Sequence, residues 1–193
     1  MDVIIKKVRL SHPNLFTATE FEPGDGKFRW NAVFMIEPGS ENDKAIEAAI
    51  EHEAKETWGD KWKGVLAAYR GVSQKDCYLA GEKKVHRDGS PYPEYAGLKV
   101  LTSHRPTEIK GNANSRPLII NTDKSPLLPE DGRPYAGCFV NAKVSIYCQE
   151  GKFPGVRSSF SVVQFHSHGE AFSSATPSAD EFEAIKDEED SLV

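Results

Sequence analysis

Aromatic and cationic side chains share one face of a predicted β-hairpin over residues 137–166. Residues 137–149 alternate with a period of two, which is typical of a strand with one buried and one exposed face. The exposed face carries Phe139, Lys143 and Tyr147, and Arg157 follows on the outer face of the second strand. Because rings stack on nucleobases and cations contact phosphates, this pattern is typical of surfaces that bind single-stranded nucleic acid.

A plain sheet surface explains the same hairpin equally well, since cross-strand aromatic and charged pairs also stabilise ordinary sheets. On the second strand, the alternation predicts that Val156, Phe160 and Val162 face the core and that Phe165 faces outward. The hairpin alone therefore leaves both interpretations open.

Further cations lie on the polar faces of two other predicted strands. Lys7 and Arg9 belong to a strand over residues 3–11, and Arg29 belongs to a strand over residues 27–36. Residues 71–95 are weakly patterned and rich in glycine and proline, which predicts a long mobile loop or a hairpin tip. As a flexible loop, this segment could close over a bound strand. For the basic residues of this loop, a solvated charge cluster is the simpler interpretation. The loop carries the candidates Lys83, Lys84, Arg87, Tyr92 and Tyr95.

Local motifs that would indicate an enzyme are absent from the sequence. There is no GxxxxGK[ST] loop and no GxSxG elbow, and the three cysteines lack the CxxC spacing of structural zinc sites. His166 and His168 lie on one predicted strand face, which leaves a metal-dependent nuclease as a weaker alternative. The sequence therefore predicts a protein that is not an enzyme and needs neither a cofactor nor a metal.

The negative charge of the chain is concentrated at its C-terminal end. The formal net charge is −5, but residues 180–193 hold seven acidic residues and one lysine, hence −6, which leaves +1 for residues 1–179. Residues 173–193 are also poor in apolar side chains, so they are expected to form a disordered acidic tail. The residues of this tail that we expect to contact partner proteins are Asp187, Glu188, Glu189, Asp190, Leu192 and Val193.

The rest of the chain is predicted to be mainly β with inserted helices. Ser40 followed by Asp43 resembles a capping box, and apolar residues at helical spacing follow it, so a helical insert is expected near residues 41–69. We therefore expect a domain over residues 1–172 and a tail over residues 173–193. The sequence has no apolar run long enough to cross a bilayer, no signal-peptide pattern and an odd number of cysteines, which favours the cytoplasm of a cell.

Four segments resemble a bacteriophage family that was long catalogued as a domain of unknown function, some members of which are single-stranded DNA-binding proteins. The family is similar in plan to the replication proteins of T7-like phages, which combine an oligonucleotide-binding (OB) barrel with an acidic C-terminus. The resembling segments are residues 7–11, the Tyr92-Pro93-x-Tyr95 motif, the Arg116-Pro117 pair and residues 135–142.

The resemblance implies an OB-fold, a five-stranded Greek-key barrel, in a protein of the host cell cytoplasm that binds single-stranded DNA during phage replication, recombination or repair. We expect binding without sequence preference, and from the charge of the acidic tail we expect that it competes with DNA and recruits phage or host replication and recombination proteins. The alternative is a protein-interaction module of a phage replication complex, which the weak charge of residues 1–179 favours. The expected DNA contacts are Lys7, Arg9, Arg29, Lys83, Lys84, Arg87, Tyr92, Tyr95, Phe139, Lys143, Tyr147 and Arg157.

Overall fold

The computed structural model describes residues 1–20 and 23–172, and these form a mainly β structure with a helical insert. The helices are α1 (Glu41–Trp58) and α2 (Trp62–Tyr69). Short 3₁₀ turns lie at Gly59–Lys61, Gly81–Lys83, Pro93–Tyr95 and Pro129–Asp131. The strands are β1 (Asp2–Glu20), β2 (Phe28–Ile36), β3 (Tyr78–Ala80), β4 (Lys99–Pro106), β5 (Glu108–Ile109), β6 (Asn112–Ala113), β7 (Leu118–Ile120), β8 (Phe139–Gln149) and β9 (Gly155–Ser167).

Seven of these strands form one mixed sheet in the order β3-β4-β2-β1-β8-β9-β7, and β5 pairs with β6 in a separate hairpin. The sheet curls so that β4 approaches β9, where the hydroxyls of Ser103 and Ser158 lie 2.6 Å apart. Residues 75–77 join the two strands, because Cys77 donates to Val156 O at 3.1 Å and accepts from Thr102 N at 2.8 Å. The mainly β class and the helical insert are confirmed, whereas the expected count of five strands is not.

The β8–β9 hairpin has the buried and exposed faces that the alternation of β8 predicts. Val140, Val144 and Ile146 are fully buried. The prediction for the second strand is wrong beyond Phe160, because Lys143 pairs with Val162 while Val144 pairs with Phe160, which leaves Ser161 as an extra residue. Such a β-bulge exchanges the two faces of a strand. Val162 therefore faces outward and Phe165 is buried.

Strand β1 is longer than predicted and continues through Pro13 to Glu20. Its pairing with β8 shifts between Ile5 and Val8, and Lys7 at the shift has φ 50°. The amides of Lys6 and Lys7 each donate to an asparagine oxygen at 2.9 Å, so the irregular turn keeps its backbone hydrogen bonds. The bulge leaves the side chain of Lys7 exposed.

Helix α1 begins as the sequence predicts, with the hydroxyl of Ser40 accepting from Asp43 N at 3.2 Å. Its apolar face, including Ile46 and Ile50, packs in the same core as Ile146 of β8. Asp43 itself is buried, and its carboxylate accepts from Gly39 N, the Tyr78 hydroxyl and Lys99 Nζ. Although burial opposes ionisation, the Lys99 ammonium and the two neutral donors lower the pKa of Asp43. This network joins the helical insert to β3 and β4.

Residues 81–98 pack on the outer face of the curled sheet, so the prediction of a mobile loop is wrong for them. The alternative prediction of a hairpin tip agrees with the pairing of Val85 with Pro91. Tyr95 is fully buried with Val33, Met35, Leu79 and Val100, which form a second apolar core on the outer faces of β2, β3 and β4. Within this segment the backbone at Gly81 passes very close to the backbone at Tyr95, since a Cβ on Gly81 would lie 2.0 Å from the carbonyl oxygen of Tyr95. Only glycine fits at that position.

The acidic tail predicted over residues 173–193 lies outside the described residues. Among the described residues, no helix has the length and apolar content needed to cross a membrane.

Candidate nucleic-acid interface

Arg157 lies at the β8–β9 hairpin, directly across the strand pair from Tyr147. Its guanidinium donates to three backbone carbonyls, those of Gln74 at 2.9 Å, Phe153 at 3.2 Å and Pro154 at 3.3 Å. Since carbonyl oxygens satisfy these donors without neutralising the charge, Arg157 keeps its full positive charge at a fixed position. The ring of Tyr147 is 39% exposed beside it.

His104 of β4 faces the same outer surface, because its neighbour Ser103 faces the interior. Its Nδ1 lies 2.7 Å from the amide oxygen of Asn31 on β2. Burial, and then the positive charges of Arg29, Lys84 and Arg157, lower the pKa of His104 to about 4. Three cations that are far apart in the sequence therefore act on one imidazole. We call the surface formed by the following residues the cationic wall: Arg29, Asn31, Lys84, His104, Tyr147 and Arg157.

The cations of this wall differ in how they are held. Arg29 has a long contact with the carboxylate of Asp25, at 3.9 Å. Lys84 is half-buried, and burial lowers the pKa of its ammonium. An ammonium that is partly desolvated is stabilised strongly by an arriving anion. The wall therefore concentrates positive charge in a region of reduced solvation.

Tyr95 cannot stack on a base in this structure, because it is fully buried. Its hydroxyl lies 3.0 Å from both Ser11 Oγ and His12 Nδ1, and burial raises the pKa of Tyr95 to about 12. Tyr92 is half-buried, and its ring lies 4.9 Å from that of Tyr95. Lys83 and Arg87 are exposed in the same segment.

A second group of predicted residues lies on the outer face of β1 and β8. Arg9 donates to Gly137 O at 3.2 Å and Glu170 O at 2.8 Å, and its guanidinium lies 4.3 Å from the ring centre of Phe172 and 5.9 Å from that of Phe139. Through these contacts Arg9 and Phe139 pack against residues 169–172, which reduces their availability for DNA.

The apolar core around Tyr95 separates Arg9 from the cationic wall. Arg9 pairs with Met35 on β2, and Met35 pairs with Val100 on β4. Residues 81–98 cover Met35 and Val100. Lys143 is closer to the wall, on the outer face of β8 that carries Tyr147, but its ammonium pairs with Asp2 at 2.9 Å. The expected DNA contacts thus lie in three places: the cationic wall, the outer face of β1 and β8, and residues 83–95. Asn31 and His104, which lie within the wall, were not among the residues that the sequence indicated.

The histidines considered as metal ligands have other contacts. His166 Nδ1 lies 2.9 Å from Ser167 Oγ, and His168 Nδ1 lies 3.1 Å from the hydroxyl of Tyr135. In the part of the chain that the structure describes, no three His, Cys, Asp or Glu side chains are arranged to hold a metal ion. A cleft of about 300 Å³ between residues 13–17 and 129–134 contains none of the predicted site residues.

The structure is thus a curled, mainly β sheet whose outer surface carries cations beside aromatic rings, which is the combination that binds single-stranded nucleic acid in other proteins. The chain belongs to the family described as Enterobacter phage Enc34, ssDNA-binding protein, which it matches over residues 1–193. The family resemblance inferred from the four sequence segments is therefore confirmed.

A curated relative, putative protein p50 of Acyrthosiphon pisum secondary endosymbiont phage 1, is 34% identical over 100% of both chains. Among solved structures, the chain resembles the single-stranded DNA-binding protein from bacteriophage Enc34 in complex with ssDNA, with a TM-score of 0.68, 20% identity and 89% of each chain covered. It also resembles gp2.5, a single-stranded DNA-binding protein encoded by bacteriophage T7, with a TM-score of 0.54, 12% identity and coverage of 95% of this chain and 98% of that one. The likenesses to solved structures show a shared fold.

Proposed function

We propose that this protein binds single-stranded DNA without sequence preference in phage DNA replication, recombination or repair. The observation that carries the proposal is the placement of Arg29 and Arg157 on the outer surface around His104. Asn31, two residues after Arg29, contacts His104, and Arg157 precedes Ser158, which contacts Ser103. The charge of Lys84 acts on the same imidazole. Membership of a family described by single-stranded DNA binding supports it, as does the shared fold with a relative solved in complex with ssDNA. We assign the core of the binding domain to an OB barrel of β1, β2, β4, β8 and β9.

In this proposal the phosphate chain runs along the cationic wall. Phosphates approach Arg29, Lys84 and Arg157 and relieve the repulsion between these cations, which provides affinity without reading bases. Tyr147 offers an exposed ring beside Arg157 for stacking, which every base can provide. Asn31 holds His104 in position between the cations through its side-chain oxygen. No step in this scheme changes a covalent bond, so the protein acts as a binding protein and not as an enzyme.

The remaining predicted contacts have secondary roles in this proposal. Lys83 and Arg87 extend the positive field beyond Lys84. Lys7, Arg9, Phe139 and Lys143 lie on the β1–β8 side, where the pairing of Lys143 with Asp2 weakens its attraction for phosphate. We expect this second group of residues to contact DNA only when the bound strand is long or weakly held.

We further propose that the acidic tail competes with DNA for the cationic wall and recruits replication and recombination proteins in the host cell cytoplasm. The last described residue, Phe172, lies against Arg9, and 21 residues follow it. An extended chain of that length spans roughly 70 Å, so it can reach every part of the barrel. The tail's net charge of −6 resembles that of a short phosphate chain.

A protein-interaction module without direct DNA binding remains the second candidate, favoured by the net charge of only +1 over residues 1–179. A fluorescence anisotropy titration with labelled oligo-dT, run with and without magnesium and repeated with duplex DNA, separates the candidates. Binding without cleavage supports the proposed function. No binding supports the interaction module, and magnesium-dependent cleavage supports the nuclease alternative.

A double variant tests the wall itself. Arg29→Gln with Lys84→Gln should bind oligo-dT at least about tenfold more weakly at low salt, and its salt dependence should decrease by about 0.7 in slope per lost phosphate contact. Lys61→Gln with Lys63→Gln, at two exposed positions around the start of α2, also removes two positive charges and is the matched control. Equal losses in the two variants would show that the wall has no special role.

A further inference from the structure

Residues 85–91 form a small, well-fixed hairpin next to the cationic wall. Val85 pairs with Pro91, and His86 N donates to Ser90 O at 2.8 Å. The carboxylate of Asp88 accepts from Ser90 N at 2.9 Å and from the Ser90 hydroxyl at 2.6 Å, which closes the turn. The position of His86 is therefore defined by the backbone of the hairpin.

The ring of His86 stacks on Tyr92, with ring centres 3.6 Å apart and an angle of 30° between the planes. The ring centre of Tyr92 lies 4.9 Å from that of Tyr95 and 5.1 Å from that of His12, and the rings of Tyr92 and His12 are nearly perpendicular. Since Tyr95 is fully buried, the column is anchored in the second apolar core. His86 at its outer end is exposed, with one ring face covered by Tyr92.

We propose that the uncovered ring face of His86 is a nucleobase-stacking site, with Tyr92 as the positioning residue beneath it. The inference rests on the proposed function and extends it, because it assigns a base-contacting role to a residue outside the cationic wall. A ring that is held in place before the strand arrives loses little conformational freedom on binding, which favours stacking. The ligand is any nucleobase of single-stranded DNA, since every base has a flat face.

Lys84 connects this stacking site to the cationic wall. Burial lowers the pKa of His12 beneath Tyr92, the carboxylate of Glu94 opposes that shift, and the positive charge of Lys84 adds to it. The same lysine lowers the pKa of His104. Lys84 also precedes His86 by only two residues in the chain, so a strand whose phosphates contact Lys84 passes close to the end of the aromatic column.

The test is an anisotropy titration of the full chain with labelled oligo-dT and with matched oligonucleotides that carry one abasic position each. His86→Ala should weaken binding to oligo-dT about tenfold, within the range that loss of one stacked base produces. His86→Phe should restore binding, because the phenyl ring retains the flat face. Arg87→Gln is the control in the same hairpin, and its effect should disappear at high salt, whereas that of His86→Ala should persist.

The abasic series supplies a readout that a merely structural role would not change. In the wild-type protein one abasic position should weaken binding, and in His86→Ala that position should become neutral because the partner ring is gone. Independent, additive losses, or a His86→Ala variant that binds as the wild type does, would overturn the inference while leaving the proposed function intact. A wild-type protein that binds no oligonucleotide would overturn both.

Discussion

His104 Nδ1 lies 2.7 Å from Oδ1 of Asn31 across the β2–β4 pair. The orientation of the Asn31 amide follows from its nitrogen, which donates to Thr19 Oγ1 at 3.2 Å and Arg29 O at 3.3 Å. Because an amide oxygen only accepts, Nδ1 of His104 carries a hydrogen, and Nε2 is the atom that takes up a proton. The uptake is unfavourable in the free protein, where burial and three nearby cations lower the pKa to about 4.

DNA binding should take up a proton at His104. Phosphates placed among Arg29, Lys84 and Arg157 favour the charged imidazole and raise its pKa, so affinity should increase as the pH falls from 7.5 to 5. We expect the increase at constant ionic strength to be at least about threefold larger in the wild type than in His104→Gln. Anisotropy titrations at several pH values check this, and identical pH dependences in the two proteins would contradict it.

The free protein should show the opposite pH dependence in its stability. Burial and the nearby cations hold the pKa of folded His104 at about 4, below the ordinary histidine value of about 6.5. Between about pH 6.5 and pH 4 the unfolded chain therefore binds a proton that the folded chain does not. The free energy of unfolding therefore decreases as the pH falls through that window. Urea denaturation should show that the free energy of unfolding decreases less between pH 7 and pH 5 in His104→Gln than in the wild type. Some decrease should remain in the variant, because the pKa of His12 is also lowered in the folded protein.

Tyr95 should behave as a core residue and not as a DNA contact. Tyr95→Ala should lower the free energy of unfolding by about 3–5 kcal/mol, as large aromatic deletions do. Tyr95→Phe removes only the hydroxyl near Ser11 and His12 and should cost about 1–2 kcal/mol. Denaturation measures both costs. The affinity of Tyr95→Phe for oligo-dT should equal that of the wild type. A decrease in affinity as large as the loss of one stacked base would contradict this and would indicate that Tyr95 contacts DNA.

Gly81→Ala should detach residues 81–98 from the barrel. A Cβ at this position meets the Tyr95 carbonyl oxygen at 2.0 Å, so the backbone must move and uncover the apolar side chains of Val33, Met35 and Leu79. Amide hydrogen exchange should increase in β3 and in residues 92–98. The control Gly89→Ala has open space around it and a φ of +87°, so it should show only local strain of about 1–2 kcal/mol.

Removal of residues 180–193 should tighten binding to oligo-dT at low salt. The segment carries a net charge of −6, and its competition with phosphates depends on ionic strength. The affinity difference between the full and shortened chains should therefore shrink as salt increases. A shortened protein that binds no more tightly at low salt would rule out competition and leave only a recruiting role for the tail.

The sequence predicted those features that depend on neighbouring residues. The unbroken alternation of residues 139–149 defined both faces of β8, and Ser40 with Asp43 defined the start of α1. Phe139 and Tyr147 remain partly accessible, and Lys143 and Arg157 lie on one outer face, as the hairpin pattern required.

The tertiary structure alone decided which distant residues meet. The bulge at Ser161 moved Phe165 into the core, and the packing of residues 81–98 buried Tyr95. The pairing of β2 with β4 and the closure of β9 onto β4 brought Arg29 and Arg157 close to His104, and the charge of Lys84 acts on the same imidazole. Strand alternation is a local property of the backbone, whereas sheet register and barrel closure depend on the packing of the whole core, and no spacing within the sequence encodes them.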